Sequence, residues 1–108
     1  MLPVLDFYPE YLEDVRDGRK RLDARLTTNP VAAQLLEAGG RGYIVGRAGE
    51  LRVLLFVSEV VSADNYGAAW QSHGTALFPR FERGTTPADA QRRCEQAFHH
   101  GRSYKPRK

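Results

Sequence analysis

An α+β fold is predicted, and three observations carry the prediction. Segments with helical and with strand-like patterning follow one another in mixed order. The strand-like ones are few. The densest apolar run, residues 53–57, is short and rich in branched and aromatic side chains. A strand set this small has to close into a barrel or be covered by helices. With 108 residues the chain reads as a single domain over residues 1–101, followed by a basic tail at 102–108.

Taken in order, Pro9 suits the first turn of a short helix over residues 10–17, with Glu10, Glu13 and Asp14 early in it and Gly18 as its stop. Residues 20–26 then alternate. Leu22, Ala24 and Leu26 share one face, Arg21, Asp23 and Arg25 the other, which predicts a half-buried strand. Thr27, Thr28, Asn29 and Pro30 cap and open a second helix that stops at Gly39 and Gly40. Residues 42–47 and 50–61 read as two strands joined at Ala48 and Gly49, the second crossing the centre of the sheet. Asp64 caps a helix through Trp70 to Gly74, and residues 75–83 are irregular. Thr86, with Asp89 three places on, starts the last helix, whose apolar side is Ala90, Cys94, Ala97 and Phe98.

Composition narrows the function. The net charge is +3, a mild bias that suits a polyanionic partner. No run approaches the length of a membrane span, no leader pattern is visible, and one cysteine permits neither an internal disulfide nor a multi-cysteine zinc site. The expectation is a cytoplasmic protein without membrane contact and without a cofactor. Up to residue 104 the chain has twelve arginines and one lysine, Lys20, so an amine at that position stands out.

That lysine lies in Gly18-Arg19-Lys20-Arg21-Leu22-Asp23-Ala24-Arg25. The stretch, just after a first short helix, resembles the Gly-x-Lys-x-x-Glu-x-Arg motif of the ASCH domain family, small β-barrels related to the PUA fold. Asp23 stands where glutamate is usual. The likeness continues through the Gly-led strand, the hairpin, the Trp70 helix, Leu77-Phe78-Pro79 and the Thr86 helix, and covers roughly residues 7 to 100. Two departures accompany it. Gly39-Gly40-Arg41-Gly42 replaces the usual Gly-Asp, and residues 103–108 replace the strand that normally closes the barrel. The implied fold is a small PUA-like barrel flanked by helices and lacking its last strand. Its open edge would suit a homodimer or a partner strand.

What the resemblance implies for function is a cleft, lined by Lys20, Asp23 and Arg25, for RNA or a modified nucleoside. Arg19 and Arg21 add cationic contacts, since arginine offers a bidentate fork to phosphate and lysine a point charge. A solvated strand face with internal Arg–Asp pairs accounts for the same residues. Some family members are amidohydrolases that use a threonine nucleophile at the position of Asp23, with the matching lysine as base. A carboxylate at Asp23 beside a lysine is an ion pair rather than an activated hydroxyl, which disfavours that mechanism. A ribonuclease-like hydrolase using Lys20 and Asp23 as acid and base stays open, as does an adaptor role. Tyr66 and Trp70, four apart on one helix, suit base stacking, although packing is the commoner use of such rings. Tyr8 and Tyr11 are weighed the same way. His73 is placed near the cleft, whereas His99 and His100 diverge too widely for a metal. The tail cations Arg102, Lys105, Arg107 and Lys108 suit phosphate contacts or a solvated terminus equally.

Overall fold

The computed structural model describes residues 1–26 and 28–99, so the tail and His100 lie outside the described residues. The architecture is α+β. The chain divides into two compact units at Ser62–Ala63, and each is described by itself.

In the first unit, strand β1 (Val4–Asp6) leads into helix α1 (Pro9–Arg16), then α2 (Pro30–Glu37), β2 (Gly42–Ala48) and β3 (Leu51–Val57). The three strands form one open sheet in the order β1-β2-β3. β2 is central, parallel to β1 and antiparallel to β3. The second predicted strand therefore ends four residues early and lies at the sheet edge among the described residues. β1, only three residues long, takes the other side of β2. Strand pairing, not apolar density, decides which strand is central.

Helix ends follow local chemistry closely. Asn29 accepts hydrogen bonds from the Val31 and Ala32 amides at 2.9 and 3.2 Å, with Pro30 in the first turn. At the other end, Gly40 N donates to Leu35 O and Gly39 N to Leu36 O, with both glycines at positive φ. This is the paired C-terminal closure in which a left-handed residue satisfies the last carbonyls. The β2–β3 connection is a two-residue turn, Gly49-Glu50, with Gly49 at φ 59° and Ala48 opposite Leu51. Glycine at the first turn position matches the twist of a tight hairpin.

Leu5, Leu35 and Ile44 form the core of this unit, with Phe7, Val31, Leu55, Val57 and Val60 packed around them. α1 packs on β2 and β3. Its contact explains Gly46: a Cβ there would sit 2.8 Å from Leu12 Cδ1 and 3.1 Å from Leu55 Cδ1. Only a residue without a side chain admits the fully buried Leu12 at that point of the sheet.

Residues 20–26 form no strand. Their polar–apolar alternation is genuine as far as Ala24, but no strand among the described residues pairs with them. The segment is instead tied down by side-chain pairs described below. This corrects the predicted strand.

The second unit holds α3 (Tyr66–His73), a 3₁₀ turn (Gly74–Ala76) and α4 (Pro87–His99). The α3 cap is Asn65, whose side chain accepts from Ala68 N at 2.7 Å. The cap thus falls one residue after the predicted Asp64, where an acceptor reaches the third helical amide. Thr86 caps α4 as predicted, its Oγ1 accepting from Asp89 N at 3.1 Å. The core is aromatic: Phe78 and Phe81 stack at 4.7 Å, and Trp70 meets Phe81 at 5.5 Å. Gly67 in α3 faces the start of α4, where an added Cβ would collide with the Pro87 carbonyl oxygen.

Both close approaches make measurable demands. Gly46→Ala should lower stability by about 1–2 kcal/mol, because Leu12 can shift in part. Gly67→Ala should cost more, about 2–3 kcal/mol, because a backbone carbonyl cannot move aside. Urea denaturation of both variants, with unchanged slope, checks the order.

Candidate functional site

The site begins at the end of α1. Asp17 is the last helical cap, Gly18 turns left-handed at φ 84°, and two backbone bonds close the helix: Gly18 N to Val15 O and Arg19 N to Asp14 O. Lys20 N also donates to the Asp14 carbonyl, at 3.0 Å. Asp14 thus holds the backbone of the first two basic residues of the motif.

Its side chain holds the first of them as well. Arg19 Nε and Nη2 both donate to Asp14 Oδ1, at 3.0 and 2.8 Å. Arg19 Nη2 also lies 3.2 Å from Asp17 Oδ2. These acceptors raise the Arg19 pKa above its ordinary value, the hydrogen bond to Asp14 first. Asp14 is 1% exposed, whereas Arg19 reaches solvent. A buried carboxylate needs such a partner, since an unpaired one costs several kcal/mol.

Lys20 comes next and turns inward. It is 1% exposed, with its ammonium 5.3 Å from the centroid of the half-buried Tyr11 ring. Tyr11 in turn meets the exposed Tyr8 edge-on at 5.9 Å. A cation within about 6 Å of a ring face is attracted by the ring quadrupole, the more so when desolvated. Arg21 is exposed. Asp23 and Arg25 pair with each other at 2.6 Å, and the Arg25 guanidinium lies 4.8 Å over Phe7.

The Arg25 end adjoins the charged row of the sheet. Arg47 donates to both oxygens of Asp6, at 2.7 and 3.1 Å. The Asp6 carboxyl is held below its usual range, first by that hydrogen bond, with desolvation opposing and the charges of Arg47, Arg25 and Arg52 assisting.

The predicted motif residues are therefore distributed over three roles. Arg19 locks the helix end, Lys20 is buried beside Tyr11, and Asp23 and Arg25 form an ion pair beside Phe7. In the second unit, Trp70 is 5% exposed and its Nε1 donates to Thr85 O at 2.7 Å, so it is a core ring whose polar edge is satisfied. Tyr66 packs on Phe98 at 5.7 Å, and His73 is exposed at the end of α3. Packing accounts for Trp70 without any base.

Asp14 is the residue that motif reading missed. Its signal was available: an acidic residue in the last turn of a helix opposes the dipole and calls for a compensating cation. Arg19, five residues on, supplies it. Among the described residues no group of three or more His, Cys, Asp or Glu side chains is placed to hold a metal ion. None of their helices is long and apolar enough to cross a membrane.

No protein-family model, no curated protein and no solved structure matches this chain.

Two outcomes follow from these pairs. Asp14→Ala should lower stability by about 2 kcal/mol, while Asp14→Asn, which keeps an acceptor for Arg19, should lose less than half of that; urea midpoints measure both. A carboxyl whose folded pKa is depressed stabilises above the ordinary carboxylate range and stops doing so as pH falls through the depressed value. Asp6→Asn should therefore differ from the parent chain at neutral pH and converge with it in acid, by a small margin because the pair is exposed.

Proposed function

We propose that this chain is an ASCH-like binding module that takes RNA or a nucleotide against the segment from Gly18 to Arg25. Lys20 carries the proposal. A lysine is rarely fully buried, and burying an ammonium is unfavourable enough that such a group beside an aromatic ring is a candidate for function rather than packing. On this reading Lys20 supplies a point charge to a phosphate or carbonyl oxygen. Tyr11 and Tyr8 line the approach to it, and Arg21 and Arg25 are the more exposed cations. A PUA-like barrel reduced to three strands is the fold side of the same proposal.

Charge distribution favours a small ligand or a short single strand over a long duplex. Residues 1–62 carry eight Lys and Arg against nine Asp and Glu, whereas residues 63–108 carry eight against four. Long-range steering of a polyanion would therefore not originate in the unit that holds the motif. The Asp23–Arg25 pair favours binding over hydrolysis, because the Asp23 carboxylate is already engaged as an acceptor from Arg25.

Lys20→Met is the informative change. Removing one member of a buried interacting set lowers stability, so the urea midpoint of the variant is measured beside its affinity and the comparison is made where both chains are folded. Affinity for labelled RNA or a nucleotide should meanwhile fall roughly 10- to 100-fold, the worth of a charge-assisted hydrogen bond. If Lys20→Met and Arg25→Ala both leave affinity unchanged, the segment is not the binding site. Turnover of labelled RNA or acylated nucleosides, abolished by Lys20→Met, would make the protein a hydrolase acting at the same residues.

The edge of β3, which has one strand neighbour among the described residues, is where a partner strand or second copy would add. Light scattering at rising concentration should then show a dimer. A constant monomer mass removes that part of the proposal.

A further inference from the structure

The face of the sheet turned away from the Leu5–Leu35–Ile44 core is exposed among the described residues. Its residues are fixed by strand register. Tyr43 lies opposite Phe56, Val45 between Val4 and Leu54, and Arg47 between Asp6 and Arg52. Tyr43 is 54% exposed, Phe56 50% and Leu54 62%. The two rings stand 5.0 Å apart at 59°. The Arg41 guanidinium lies 6.0 Å from the Phe56 centroid. At the far end Arg52 Nη1 donates to Gly49 O at 2.7 Å, which fixes its guanidinium near the hairpin turn.

We infer that this face is a stacking platform for single-stranded nucleic acid. Two adjacent exposed aromatic rings on a central and an edge strand offer base-sized π surfaces, which bind unpaired bases with little regard to sequence. Arginines stand at both ends of the apolar strip. The one carboxylate on the face, Asp6, is neutralised by Arg47, leaving the charges of Arg41 and Arg52 for phosphates. The distance from the aromatic row to the arginine row is four residues of strand, about 13 Å. That length accommodates two or three nucleotides. A protein partner fits less well, because the core of a protein interface excludes charge and is larger than this five-residue strip. The platform uses none of the motif residues and does not depend on the role proposed for Lys20.

A cross-strand aromatic pair also stabilises a hairpin by itself, so the test has to separate stacking from apolar contact. Anisotropy of a short fluorescein-labelled oligouridylate should report binding to the full chain, with weaker binding to a blunt duplex. Tyr43→Leu and Phe56→Leu keep an apolar side chain and should each weaken binding roughly 5- to 150-fold, the range for loss of one stacked base. Tyr43→Phe and Phe56→Tyr keep the ring and should bind like the parent chain. Arg41→Gln and Arg52→Gln should each reduce the slope of log affinity against log salt by about 0.7. Circular dichroism of each variant establishes that the fold is intact.

Equal binding by the parent chain and the Tyr43→Leu/Phe56→Leu double variant overturns the platform, as does equal affinity for duplex. A dimer that Tyr43→Leu disperses, with no oligouridylate binding, overturns it too and makes the face a self-association surface. Loss of binding in Lys20→Met alone leaves the motif reading standing and the platform refuted. Loss in the ring variants alone does the reverse.

Discussion

The first unit depends on a buried carboxylate at a helix end. Asp14 sits in the last turn of α1, where the dipole disfavours a negative charge and burial disfavours any charge. The Arg19 guanidinium compensates it by donating twice to one carboxylate oxygen, while the backbone amides of Arg19 and Lys20 donate to the Asp14 main-chain carbonyl and close the helix. The same bonds give the chain its direction after Gly18. Because Arg19 is drawn back over the helix end, the next side chain, Lys20, is directed inward against Tyr11. The buried ammonium is thus a consequence of how the helix is closed.

This makes the motif less a row of equivalent cations than a sequence of tasks. Glycine allows the turn, Arg19 neutralises Asp14, Lys20 is buried, and Arg25 pairs with Asp23 over Phe7. An alternating strand would have presented Arg21, Asp23 and Arg25 together on one face. The observed segment separates Lys20 from the ion pair in environment, one desolvated and one half-exposed. Such contrast is what lets neighbouring ionisable groups perform different chemistry.

The sheet adds a second division of labour. Its inner face is closed by Leu5, Leu35 and Ile44, and the approach of Leu12 to Gly46 sets how near α1 can lie. Its outer face keeps two aromatic rings and a line of charges in water. The second unit treats its aromatics the opposite way, placing Trp70, Phe78 and Phe81 in its core. Among the described residues the exposed rings are Tyr43 and Phe56 on the outer face of the sheet and Tyr8 at the start of α1.

Local chemistry made several features readable from the chain alone. Pro9, Asn29-Pro30 and Thr86-Pro87 start helices, Gly39-Gly40 ends one, and Gly49 turns the hairpin, because caps and turns are made by side chains and amides a few residues apart. Composition, one lysine against twelve arginines up to residue 104, marked Lys20 as the unusual residue. What it could not reach was every property set by distant partners. Residues 20–26 have strand alternation but no strand to pair with. β2 is central because three residues near the N-terminus, too few to carry a pattern, lie alongside it about forty positions away in sequence. Pattern alone leaves Tyr66 and Trp70 open to stacking but favours packing, as Trp70 shows, and it does not mark Tyr43 and Phe56 as exposed. Exposure is decided by which element packs over a side chain, and that is a property of the tertiary structure.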